Sequence, residues 1–192
     1  MNPMHRRLTA SAAAVALALT LAACSGSAGG GEGPTTEQGT QSSEVAHNDA
    51  DIQFAQLMIM HHQGAVEMSE LAVEQASDAE VRALAQRIQD AQGPEIELMT
   101  GWLESWGEDT SHDMGMDGMS QAEVMDELGG LDGSAFDRTF LERMVAHHRG
   151  AIEMAQEEKD EGSNPDALAL ADAIITAQTA EIAEMEDLLA GL

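Results

Sequence analysis

Apolar residues recur every three or four positions through 49–76, 78–105, 135–160 and 165–190, the spacing of helices with one buried face. No stretch alternates with the period of two that a half-buried strand would need. Start signals fall where the segments begin. Ser77-x-x-Glu80 and Ser134-x-x-Asp137 fit the capping box or its acidic variant, and Asn164 precedes Pro165 as a cap precedes a first-turn proline. The pattern predicts four helices of about 25 residues, each about 38 Å long at about 1.5 Å per residue. Short links inside each pair and one long crossover, residues 107–133, predict an all-α four-helix bundle built from two hairpins. Ser120-x-x-Glu123 is expected to open a short helix in the crossover that ends near Gly129-Gly130. Pro94 falls inside the second segment, where loss of a backbone donor and crowding of the Asp90 carbonyl predict a kink.

Set against itself at an offset of 86, the chain aligns Phe54, Met58, His61, His62, Gly64, Ala65, Glu67 and Met68 with Phe140, Met144, His147, His148, Gly150, Ala151, Glu153 and Met154. The same offset pairs Leu84, Ile88, Gln92, Glu95, Ile96, Met99 and Leu103 with Leu170, Ile174, Gln178, Glu181, Ile182, Met185 and Leu189. Such agreement over two helices reads as duplication of one hairpin. Pro94 breaks it, facing Ala180 in the second copy.

The residues before the first helix predict where the chain works. His5, Arg6 and Arg7 precede an Ala- and Leu-rich stretch, Leu8 to Ala23, of signal-peptide length and too short to span a bilayer. It ends in Leu21-Ala22-Ala23-Cys24, which resembles the lipobox of bacterial lipoproteins, so residues 1–23 are expected to be removed and Cys24 lipidated. That would anchor the chain to the outer face of the cytoplasmic membrane. Residues 24–48, rich in Gly, Ser, Thr and Gln, read as a flexible tether, leaving 49–192 as the folded domain. Cys24 is the only cysteine, which excludes an intramolecular disulfide and a thiolate zinc or iron–sulfur site. Losing Arg6 and Arg7 with the signal leaves six of eight basic residues against 35 acidic, and the formal charge moves from −27 to −29. A chain so acidic repels phosphate backbones, which argues against nucleic acid as a partner.

The chemistry lies in the repeat. On a helical wheel Phe54, Met58, His61, Ala65 and Met68 fall in a stripe about 80° wide with His62 beside it, and Met144, His147, His148 and Met154 repeat the arrangement. The partner helices group Gln92, Glu95 and Met99, and likewise Gln178, Glu181 and Met185. Each hairpin is therefore expected to aim two or three thioethers, one or two imidazoles and a carboxylate at one place. Thioethers are soft and uncharged and favour Cu(I), while imidazole serves copper and zinc alike. Di-iron bundles use Glu-x-x-His instead; here Met58 and Met144 stand three residues before His61 and His147, sulfur in place of the hard oxygen. A Met stripe alone would read as ordinary core, but two buried imidazoles per helix need partners. Gly64 and Gly150, each destabilising a helix by about 1 kcal/mol relative to Ala, suggest close approach by a neighbouring backbone or a ligand, or plain helix packing. The crossover adds His112, Met114, Met116 and Met119 in an acidic stretch. It reads either as a metal-capturing tract or as a variable linker.

Met-x-x-His-His-x-Gly-Ala-x-x-Met, present twice, resembles the family catalogued as domain of unknown function 305 over about residues 49–190. The resemblance implies a ferritin-like four-helix bundle, often on exported proteins, some of which bind copper in the periplasm. It points to Met58, His61, His62, Met68, Met144, His147, His148 and Met154 as ligands. The expectation is a non-enzymatic, copper-binding lipoprotein that sequesters Cu(I) or passes it to a metal-transfer protein, with zinc or iron less suited. It touches the membrane only through its lipid. The rival readings are a ferritin-like metal-dependent oxidase and a metal-free interaction module. Metal binding is expected to weaken as His protonates below about pH 6.5.

Overall fold

The computed structural model describes residues 46–110 and 121–192. The signal segment, Cys24, nearly all of the tether and the His112–Met119 tract lie outside the described residues. The described chain is all helical. Helix α1 spans Asp49–Gln75, α2 Ala79–Trp106, the short α3 Gln121–Gly129, α4 Gly133–Glu161 and α5 Pro165–Gly191. Each long helix lies within two residues of its predicted span, and α3 ends where the double glycine predicts. Pro94 sits inside α2, which continues to Trp106. No helix among the described residues is long and apolar enough to cross a membrane.

Two of the predicted caps are corrected. Asp78, not Ser77, caps α2 by accepting from the N–H groups of Glu80 and Val81. Helix α4 follows Asp132 without any side-chain cap, so Ser134-x-x-Asp137 forms no box. Ser77 and Asp137 are instead bonded to each other. Asp137 accepts from the Ser77 N–H at 2.8 Å, the Asp78 N–H at 3.0 Å and the Ser77 hydroxyl. Asn164 caps α5 as expected, accepting from Asp166 and Ala167. Asn48 and Asp51 form a capping box at the start of α1. This fixes residues just ahead of the helix: the Asn48 side chain donates to the Glu161 carbonyl at 2.9 Å, and the His47 ring stacks on Trp106 at 4.5 Å.

Helix α1 packs along α2, α4 along α5, and α1 against α4, while α3 bridges α1 and α4. Helices α1 and α4 run in opposite directions. Phe54 and Met58 near the start of α1 share an apolar cluster with Ala151 and Ala155 of α4, whereas Met68 and Ala72 share one with Phe136, Phe140 and Met144. These two clusters form the core, each buried Leu, Ile, Phe or Met stabilising by about 1.5–3 kcal/mol. On all four long helices a polar stretch interrupts the apolar stripe between the clusters, and it lies at the same level of the bundle.

Candidate metal centre

The polar layer takes His61 and His62 from α1, Gln92 and Glu95 from α2, His147 and His148 from α4, and Gln178 and Glu181 from α5. His62 and His148 are completely buried. The Nε2 atom of His62 lies 2.7 Å from Glu95 Oε2, and that of His148 lies 2.6 Å from Glu181 Oε2. His61 and His147 meet across the α1–α4 contact, ring centroids 3.6 Å apart and tilted by 40°. The glycines explain how the rings come so close. A Cβ at Gly150 would stand 3.2 Å from His61 Nε2, and one at Gly64 would stand 3.3 Å from His147 Nε2. Each glycine admits an imidazole of the other hairpin, which of the three readings the sequence offered is closest to plain helix packing.

Nδ1 of all four histidines and Oε1 of Gln92 and Gln178 are buried without a hydrogen-bond partner among the described residues. A buried polar atom left unpaired costs about 1–3 kcal/mol, and a layer holding six of them is poorly satisfied by protein alone. Burial, reinforced by the nearby His62 and His148, pushes His61 down to about 3. Burial and the charges of His61, His148 and His62 push His147 well below its ordinary value. Both shifts favour the neutral ring, which keeps a lone pair to offer, and they move the titration of this pair below the expected 6.5.

Each hairpin brings two of its methionines into one cluster, and the third comes from the other hairpin. Met58 and Met99 of the first hairpin belong to the cluster against which Met154 of the second packs. Met144 and Met185 of the second share theirs with Met68 of the first. The two sets correspond at the 86-residue offset, each with two thioethers from one hairpin and a third from the other. The helical wheel gave the face of each Met correctly, but antiparallel packing of α1 on α4 sends Met68 and Met154 to the opposite hairpin. All six are buried except Met154, which is partly exposed. Among the described residues no three His, Cys, Asp or Glu side chains gather in a metal-holding group, so any ion held here would depend on sulfur. His112, Met114, Met116 and Met119 lie outside the described residues, as does Cys24.

Four further residues shape the site without having been singled out. Asp51 accepts from Ser163 N–H and Oγ–H at 3.0 Å, Asn164 N–H at 2.8 Å and Asn48 N–H at 2.6 Å. Burial would raise its carboxyl, but those N–H groups and Glu158 outweigh it and hold Asp51 below its usual range. Asp51 and Asp137 are 86 positions apart, as are Ser163 and Ser77, so one brace occurs twice. Charged residues at matching positions on an apolar face were the available signal. Glu158 is buried beside Asp51, and burial with that neighbour pushes it up to about 8. Gln121, the first residue of α3, donates to the Gly64 carbonyl at 3.1 Å and to Glu67 at 3.1 Å, docking the end of the crossover over the Gly64 notch.

The profile of the family described as domain of unknown function 305 matches residues 51–189. Among solved structures, a protein of that family from Streptomyces coelicolor is 38% identical, with a TM-score of 0.69 over 74% of this chain and 91% of that one. A fragment from Deinococcus radiodurans is 30% identical, with a TM-score of 0.70 over 76% of this chain and 98% of that one. CopM in its Cu(I)-bound form is 33% identical, with a TM-score of 0.64 over 73% of this chain and 96% of that one. CopM has also been solved with Cu(II), with Ag and in the apo form. No curated protein matches the chain.

Proposed function

The chain belongs to the domain of unknown function 305 family, and on that premise we propose that it is a copper-binding lipoprotein working outside the cytoplasm. It sequesters Cu(I) or hands it to a metal-transfer partner through its paired Met/His clusters. One observation carries this reading: four imidazoles, two fully buried and two partly exposed, keep buried Nδ1 atoms without a partner among the described residues, on helices whose two apolar clusters each bring three methionines together. Neutral sulfur and neutral nitrogen suit a soft monovalent ion: the imidazoles would serve zinc as well, but the thioethers favour Cu(I), and oxygen-activating iron would want more carboxylate. The ligands we propose are His61, His62, His147 and His148 with Met58, Met99 and Met154 on one side and Met144, Met185 and Met68 on the other. CopM, similar over nearly its whole length, was solved with Cu(I), Cu(II) and Ag, which supports copper as the cargo. Residues 1–23 would direct export and Cys24 would carry the lipid. Residues 24–48 would let the domain 49–192 stand off the membrane, with His112, Met114, Met116 and Met119 in the crossover 107–133 as a capture tract.

Competition for Cu(I) against a coloured chelator tests the reading. Replacing His61, His62, His147 and His148 by Ala is expected to abolish competition. Replacing Met58, Met99, Met144 and Met185 by Leu, which keeps volume and typically costs under about 1.5 kcal/mol per site, is expected to weaken it in a protein that still melts cooperatively. Undiminished competition by both variants would overturn the helix sites.

A further inference from the structure

The four histidines form two classes. His61 and His147 meet each other at a tilt and face glycine notches, whereas His62 and His148 each turn Nε2 onto a carboxylate. We infer that Glu95 and Glu181 are positioning residues that hold His62 and His148 as Nε2–H tautomers, so that a metal ion meets these two rings at Nδ1. The inference rests on the copper reading above and deepens it by assigning the donor atom.

A neutral imidazole carries its proton on one nitrogen only. With the proton on Nδ1, the Nε2 lone pair would face the lone pairs of a carboxylate oxygen at 2.7 Å or 2.6 Å, and a buried N–H would have no acceptor. With both nitrogens protonated, the carboxylate would be satisfied but the buried Nδ1–H would again be orphaned. Only the Nε2–H form gives the short contact a donor and leaves a bare lone pair, the cheaper orphan, at Nδ1. That lone pair sits in a fully buried ring, with no N–H or O–H among the described residues to receive.

Carboxylates hydrogen-bonded to the far nitrogen of a ligating imidazole orient the ring and raise its basicity, and their loss typically weakens metal binding by about 10- to 100-fold. Here the carboxylates belong to α2 and α5, while the rings belong to α1 and α4. Each Glu-His pair thus ties the two helices of one hairpin and fixes which nitrogen of its ring is left with a buried lone pair. Glu95 and Glu181 are about a quarter and a fifth exposed, so the polar end of each pair stays wet and the donor end dry.

The test is long-range proton–nitrogen NMR on the intact domain, without metal and then with Ag(I). The expected spectra show His62 and His148 protonated at Nε2 in the apo protein and perturbed at Nδ1 when Ag(I) is added. A proton on Nδ1 in the apo state, or silver bound through Nε2, would overturn the assignment. In Glu95→Gln/Glu181→Gln, which keeps side-chain shape, Ag(I) affinity is expected to fall by about 10- to 100-fold with the melting transition retained. Unchanged affinity would overturn the positioning role. Wild-type protein that takes up neither Ag(I) nor Cu(I) but shows Nε2–H on both rings would overturn the copper reading while supporting the assigned tautomer.

Discussion

At one end of the bundle Asp137 holds the α1–α2 turn through Ser77 and Asp78; at the other Asp51 holds the α4–α5 turn through Ser163 and Asn164. The serine bonds correspond, but Asp51 takes one N–H more, from Asn48, and the surroundings of the two braces differ. Beside the first turn stand Ala72 and Ala76, both buried. At the equivalent positions beside the second stand Glu158 and Gly162. A Cβ at Gly162 would overlap the Glu158 carboxyl, so the glycine makes room for the acid. The second brace therefore has an acid beside it, pushed up to about 8 by burial and by Asp51, where the first has only methyl groups. The same backbone solution can be made proton-sensitive by changing two residues four apart.

The largest expected effect comes from removing a brace. Asp137→Ala strands two backbone N–H groups, while the Ser77 hydroxyl can turn to another acceptor, and at about 1.5–3 kcal/mol per bond to a charged group should destabilise by about 3–6 kcal/mol in urea titrations at pH 7. Asp51→Ala, which removes one bond more, should cost at least as much at pH 5 and lose less at pH 9 than at pH 5, because it also removes the neighbour that keeps Glu158 protonated. Equal losses for both variants at all pH values would show that the two ends do not differ.

Next comes the acid itself. Glu158 is raised to about 8 from 4.5, so the folded chain binds its proton more tightly than the unfolded one. Its contribution is fully present below about pH 4.5 and is lost as pH rises through 8. Glu158→Gln should thus be more stable than wild type at pH 9, by on the order of 2 kcal/mol, and show a flatter dependence between pH 5 and 9. A variant whose pH profile overlays that of wild type would remove Glu158 from the account.

A smaller effect tests whether Glu158 and Gly162 act as a unit. Gly162→Ala alone should cost more than Gly162→Ala in a Glu158→Ala background, with a coupling of about 1 kcal/mol. Additive losses in thermal melts would mean the pair is accidental. Smallest in stability, but visible in the site, are the two notches. Gly150→Ala meets His61 directly, while Gly64→Ala first meets Gln121 at 2.9 Å, the end of a flexible side chain. The gain in helix propensity, about 1 kcal/mol, should offset most of each penalty. The His61 resonances should move more in Gly150→Ala than those of His147 in Gly64→Ala. The reverse order would mean that Gln121 is not the softer neighbour.

The helices, the His pairs and the correspondence between hairpins were legible because each is written in a spacing along one segment. The cap at Ser77 was misread because its partner, Asp137, is 60 residues away and local pattern cannot see it. That the third methionine of each cluster comes from the other hairpin was not legible for a related reason: a helix face does not say which helix covers it. Glu95 and Glu181 were grouped with the right stripe, though their bonds to His62 and His148 depend on how α1 and α2 are rotated about their axes. The apolar pattern leaves that rotation open to within a side chain.

The glycine notches also act as a ruler for assembly. Sliding α1 along α4 by one turn, about 5.4 Å, would bring His61 over Ala146 or Met154 instead of Gly150, and His147 over Met60 or Met68 instead of Gly64. Every such slip replaces a hole with a methyl group or a longer chain. A long, Ala-rich interface that would otherwise tolerate several alignments is thereby keyed to one.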